Sequence, residues 1–351
     1  DPQIKPASPV SLSDPDRRRL DELRTQRQSL VNELADLGPP PRFFGVVPDE
    51  NVPDVRVLRR GDPESPTGPA LAPAAFSALA MLDPLLGTAE TTEGNRRVAL
   101  ARWITNPSNP LTPRVIVNRL WQWHFNRGLV NTPSDFGFGG GQPSHPELLD
   151  WLAIQLVDGQ WTMKRIHRLI LNSETYRMSS DFSLDGNPTL VDADNRLLWR
   201  QNTRRIEAEV LRDSVLHVSG KLNPQHGGPG YQDFTYQDAY APIYTYITAD
   251  DPSLWRRSIY RYVVRTTPNR FLTTLDCPDP ANLTPQRLTT TTPLQSLALY
   301  NNDFMLRQAG YFADRVRSEA GSAPDQQAQR AFQLAFSRAP TAAESQLTQQ
   351  A

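Results

Sequence analysis

The chain has 351 residues, with 37 Lys and Arg against 38 Asp and Glu. Such balance argues against a general polyanion binder, which carries a basic surplus, so no nucleic-acid partner is expected. One cysteine, Cys277, excludes an internal disulfide, a paired-cysteine zinc site and a Cys-x-x-Cys-His haem attachment. No apolar run approaches the roughly 18 residues of a membrane span.

The length is enough to bury a sizeable core without cross-links. The 32 prolines are spread along the chain and mark many short connections. Residues 1–15 read as a polar, Pro-rich linker, with no signal peptide visible at Asp1. Over 16–37, Leu20, Leu23, Leu30, Leu34 and Leu37 follow a 3-4 spacing broken by Arg27. Under three heptads of this pattern predict a docked amphipathic helix, stopped by Gly38 and Pro39-Pro40-Pro41. Residues 42–90 form an extended Pro/Gly-rich strap, with a short strand at Val55–Leu58 and a tight turn at Arg60-Gly61-Asp62.

From residue 91 the helical grammar is clear. One helix runs from about Asn95 to Thr105. Thr112-Pro113 opens the next, which Gly128 closes. Ser144-His145-Pro146-Glu147 reads as a capping box before Leu148, Leu149, Leu152 and Leu156. Thr162 begins a helix burying Met163, Ile166, Leu169 and Ile170, and another spans about Thr203 to Val218. An aromatic-rich insert occupies about 221–290, with a strand-like alternation from Ser258 to Arg265. Helices restart at Thr292-Pro293 and continue to about Ser318, then at 325–337 and from 342, where Thr341 and Glu344 suggest a second box. The chain stops inside that last helical pattern, as a piece of a longer protein does.

Several segments together form a specific pattern: Arg97 to Trp103, Arg114 to Trp121, Gly128 to Gly137, Pro143 to Leu152, His167 to Ile170, Ser173-x-x-Tyr176, Arg205 to Asp213, Gly227-Gly228-Pro229 and Thr292 to Leu297. Over roughly 91–351 they resemble the planctomycete-specific domain of unknown function at the C-terminal end of "planctomycete cytochrome C domain-containing" proteins. The resemblance implies an extracytoplasmic setting (periplasmic or secreted). It also implies a c-type haem in a separate module of the full-length protein, with none in this chain, and that module as a partner. Sulfatase-like neighbours of the family point to polysaccharide as a ligand.

Four constellations are candidates for chemistry. Arg114, Asn118 and Gln122 lie at i, i+4 and i+8, with Arg119 beside them. They form either a ligand-facing stripe or a set of bonds that hold the 130–143 loop. Ser134 to Gly141 is dense in glycine, and Gly139 and Gly140 there let backbone N–H groups face a ligand before a helix N-terminus. Next to it, Asp135, His145 and Asp150 are candidates for an acid–base or metal cluster, with His145 expected neutral at that helix end; the alternative is local hydrogen bonding.

Glu209, Asp213 and His217 share a helix face and are a weak metal candidate, or ordinary ion pairs tying that helix to the Arg114 helix. In 231–262, Tyr236 and Trp255 among many aromatics interleave with Arg261 and other arginines, in a pattern that stacks sugars or simply packs over the core. Asp276 and Asp279 flank Cys277 and oppose a reactive thiolate.

The fold expected is mainly α: one multi-helix domain over 91–351, with small irregular β segments near 42–70 and 228–277 and long Pro/Gly-rich loops. The first functional reading is a carbohydrate-related binding or scaffold module. The others are a hydrolase or metal-assisted lyase centred on Asp135, His145 and Asp150, and a structural docking domain for a c-type cytochrome module.

Overall fold

A computed structural model describes residues 13–38, 45–49, 52–180 and 191–350. Residues 1–12 of the linker expected over 1–15, and the Pro39-Pro40-Pro41 stop, lie outside them. Asp1–Asn106 and Pro107–Ala351 form two compact units. The chain is mainly α, with twelve α-helices and two small antiparallel two-stranded sheets among the described residues.

The first unit opens with α1, Asp14–Asp36, capped by the Ser13 hydroxyl, which accepts from the Asp16 N–H. No residue of α1 is buried. The docked helix expected from its leucine spacing is instead exposed along its whole length. Strands β1 (Val57–Leu58) and β2 (Pro66–Thr67) pair across the expected turn, where Arg60 takes a φ of +54°. Helix α2, Glu93–Ile104, starts at Thr92, whose hydroxyl accepts from the Asn95 N–H.

The second unit builds its main core from three helices: α3 (Leu111–Phe125), α4 (Pro146–Asp158) and α5 (Met163–Leu171). Val117, Leu120, Trp121 and Phe125 recur at the 3-4 spacing that keeps one face inward. They meet Leu149, Leu152 and Leu156 of α4 and Ile166 and Ile170 of α5. Each such side chain contributes about 1.5–3 kcal/mol on burial. Trp121 and Phe125, one turn apart, stack with ring centroids 4.2 Å apart.

The helix ends differ from the sequence expectation in instructive ways. Thr112 does not cap α3: Pro110 is the N-cap residue, and Oδ1 of Asn109 just before it accepts from the Leu111 and Thr112 N–H groups, the local bond that suits a short amide. The helix stops at Asn126, which adopts the left-handed conformation, two residues before Gly128. No capping box forms at Ser144. His145 is the N-cap residue of α4, without a side-chain bond to the helix, and Pro146 fills the first turn. A short helix α6, Glu174–Arg177, follows α5. The helix expected from Thr203 begins only at Ala208, as α7 (Ala208–Val218). Residues before it are drawn out because Asn202 and Arg204 donate to the Phe125 and Trp123 carbonyls at the end of α3.

The insert supplies a hairpin of β3 (Phe234–Gln237) and β4 (Ile243–Tyr246), with Phe234 opposite Tyr246. The expected strand at 258–265 is absent: Ser258–Tyr260 is a 3-10 turn, because the Ser258 N–H and hydroxyl both bind the Asp213 carboxylate. Helix α8, Arg270–Thr274, is capped by Asn269. The restart at Thr292 holds, with Thr292 and Gln295 forming a full capping box for α9, Pro293–Asn301. Asn302 then separates α9 from α10, Asp303–Ala320, so the helices expected from Thr292 to about Ser318 are two. Helices α11 (Pro324–Phe336) and α12 (Ala342–Gln350) follow, the latter opened by reciprocal Thr341–Glu344 bonds.

Candidate functional site

The polar stripe of α3 is engaged within the fold. Asn118 is fully buried; its Nδ2 donates to the Val130 carbonyl at 3.0 Å, and its Oδ1 accepts from the Val130 N–H at 2.8 Å. Gly128 permits this clamp, since a Cβ there would lie 2.7 Å from the Asn118 amide. Arg119 donates to the Ser134 hydroxyl at 3.2 Å. Arg114 pairs with Asp150 at 2.7 Å and also donates to the Pro110 carbonyl. The Arg114 guanidinium holds the Asp150 carboxyl below its ordinary range.

The glycine loop is shaped by contacts among its own residues. Asp135 Oδ1 accepts from the Gly137 N–H at 2.9 Å. A Cβ at Gly140 would stand 2.2 Å from the Asp135 carbonyl oxygen, and one at Gly141 would stand 1.9 Å from Asn131 Oδ1. A Cβ at Gly139 would lie 3.2 Å from the Asp135 carboxylate. Glycine is therefore needed here for the turn itself. His145 Nδ1 bonds the neighbouring Ser144 hydroxyl at 3.0 Å. Asp135, His145 and Asp150 thus each have a separate partner, and no hydrogen bond joins any two of them.

On α7 the carboxylates face arginines and backbone. Glu209 receives a two-pronged Arg287 guanidinium at 2.6 and 3.0 Å. Burial pushes the Glu209 carboxyl up, but Arg287 outweighs it and leaves the group lowered. Asp213 accepts from Ser258, and His217 is exposed near the end of the helix. These bonds tie α7 to the 258 and 287 segments, not to the Arg114 helix. Among the described residues no three of His, Cys, Asp and Glu converge as a metal site. Cys277 lies against Glu209; burial first and that carboxylate second push its thiol up to about 11.

A cavity of about 490 Å³ opens between the hairpin, α7, α8 and α10. Tyr244, Tyr246, Trp255, Phe271 and Phe304 supply aromatic surface, and Arg212, Asp233, Arg261, Arg270 and Arg307 supply charge. Its walls are set by caps. Asp251 accepts from the Ser253 N–H before Trp255, Asn269 opens α8, and Asn302 opens α10. Asn269 also donates to Asp233 at 3.3 Å. Arg212 reaches in from α7, donating to the Leu254 and Arg256 carbonyls at 2.7 and 3.0 Å, with its guanidinium over the Tyr231 and Phe304 rings. Arg261 pairs with Asp233 at 2.8 Å beneath the Tyr246 ring. Burial alone would ease Arg261's proton off, but Asp233 more than offsets this, so the guanidinium stays charged.

Of the residues singled out from sequence, Trp255 and Arg261 come together in this cavity. Tyr236 packs its exposed ring on Tyr244 at 5.4 Å without lining it. Sequence reasoning missed the contributions of Asp233 and Arg307, which carry no local pattern. It also missed a histidine pair: His124 Nε2 and His167 Nδ1 lie 2.8 Å apart, with the Tyr176 ring edge-on to His124. Burial, then His167 and then Arg204, lower the His124 value.

None of the curated proteins and none of the solved structures matches this chain. One family does, over residues 96–351, a span that takes in α3 to α12 and the cavity. The chain belongs to the PSD1 family, proteins of unknown function (DUF1553).

Proposed function

We propose that this domain is a carbohydrate-binding module and that its ligand enters the cavity lined by Trp255 and Arg261. The observation that carries the reading is the composition of that one wall: flat aromatic rings beside arginines and an asparagine that are held in place by caps and ion pairs. Rings pack on the apolar faces of sugars, while fixed polar groups align with hydroxyls. The motif resemblance supports an extracytoplasmic setting in a cytochrome-linked protein whose haem lies in another module. No described helix is long and apolar enough to cross a membrane. A glycan array followed by calorimetry with neutral and acidic polysaccharides tests the reading. Binding that is lost in a folded Trp255→Ala variant supports it; no binding by the wild type across the panel sinks it.

A second reading concerns α1, where Leu23, Leu30 and Leu34, with Leu37 just past its end, are all exposed on a helix that buries nothing. Such a stripe suits docking to a partner, and the cytochrome c-like module is the partner implied by the resemblance. Replacing Leu30 and Leu34 by Asp should abolish co-purification with that module. Unchanged co-purification removes this reading and leaves the first untouched.

A further inference from the structure

We infer that the cavity selects an oxyanion on its ligand: the carboxylate of a uronate or the sulfate ester of a sulfated saccharide. This rests on the carbohydrate-binding reading and adds the ligand's charge to it. Four arginines, Arg212, Arg261, Arg270 and Arg307, line the cavity against two aspartates, Asp233 and Asp250.

The pairing leaves positive charge over. Arg307 is matched by Asp250 at 2.9 Å and Arg261 by Asp233 at 2.8 Å. Arg212 has only a looser contact with Asp213 at 3.5 Å, an acid that it shares with Arg257 at 3.7 Å. Exposed Arg270, at the start of α8, forms no ion pair among the described residues.

Depth adds to the charge. The Arg212 and Arg261 side chains are only 10% and 8% exposed. Charges so far from water act through a lower dielectric and attract an anion more strongly than surface arginines do. Arg261 binds Asp233 through Nε, and its Nη2 has no hydrogen-bond partner among the described residues. That atom is itself sealed from solvent, so it adds positive charge behind the cavity wall and not a direct contact to the ligand. A guanidinium fork fits the paired oxygens of a carboxylate or sulfate. The two aspartates repel the same ligand. The small surplus therefore suits an isolated anionic group on a neutral sugar frame better than a dense polyanion.

Calorimetry on the whole chain uses four probes: an oligouronate, its carboxyl-reduced counterpart, a sulfated oligosaccharide and its desulfated counterpart. At least one acidic probe should bind about tenfold or more tighter than its neutral counterpart, as expected for one charge-assisted contact. Added salt should weaken that binding. Which acidic probe wins identifies the source of the oxyanion. Arg270→Gln, at an exposed position where folding is safe, should lose most of the preference for the acidic over the neutral probe. Arg270→Lys keeps the charge but removes the fork and should lower the preference less than Arg270→Gln does. Equal binding of acidic and neutral probes, or a preference that survives both variants, overturns the inference while the carbohydrate reading stands. If no probe binds at all, both fall.

Discussion

Asn118 in α3 and Arg261 beside the hairpin are both buried polar side chains, and the regions around them handle polarity in opposite ways. Asn118 makes two matched bonds to Val130 and closes the account of that loop. Asp135, Arg114 and Arg119 behave alike, each bound to a nearby group of the same layer. Around the cavity, Arg261 and Asp233 pair through one atom each, and Nη2 and Oδ1 remain without partners. Buried polar groups in folded proteins are nearly always satisfied, so the first region is built for shape, while the second keeps buried charge beside an open cavity. Density of glycine or of charge in the sequence does not separate these cases; the bonding of each side chain does.

Substitutions should break the two regions differently. Asn118→Ala strands both the Val130 N–H and carbonyl in the core and should cost about 3 kcal/mol, read by urea denaturation. A loss under about 1 kcal/mol would mean that the clamp is dispensable. Gly140→Ala should cost about 1–3 kcal/mol by the same assay, since its Cβ meets the Asp135 carbonyl. If it instead preserves stability but abolishes ligand binding, the loop is a site and the comparison fails.

The histidine pair gives a pH test within the first region. His124 titrates below its ordinary 6.5 when folded. As pH falls through that value the unfolded chain takes up a proton that the folded chain resists, so stability is full above it and declines below. His124→Gln should flatten this decline in denaturation midpoints measured from pH 7.5 down to about pH 5; an unchanged slope would assign the loss to other groups. The smallest effect is expected from Asp150→Asn. Its pair with Arg114 is half open to solvent, so the loss should stay under about 1 kcal/mol and appear only above the acid range where Asp150 is charged.

Much of the helical framework was legible in the sequence. Periodic leucines and isoleucines placed α4 and α5, Thr112-Pro113 and Gly128 bracketed α3, and Thr292-Pro-Leu-Gln and Thr341-Ala-Ala-Glu announced boxes that form as written. Boundaries slipped where one polar residue replaced another, as with Asn109 for Thr112, because several side chains near a helix start compete for the same N–H groups. The strand expected at 258–265 failed for a different reason: Ser258 is taken by Asp213, 45 residues away, and alternation cannot register such a partner. The candidate site was half legible. Trp255 and Arg261 stood out in an aromatic–arginine run, but Asp233, Arg307 and Arg212 reach the cavity through tertiary packing alone.

The central claim is that the cavity, and not the glycine loop, receives the ligand. Hydrogen–deuterium exchange with and without a bound oligosaccharide tests it most directly. Protection should appear in the backbone of 244–250 and 267–272, with Ser134–Gly141 unchanged. Protection confined to Ser134–Gly141 and the start of α4 would contradict it.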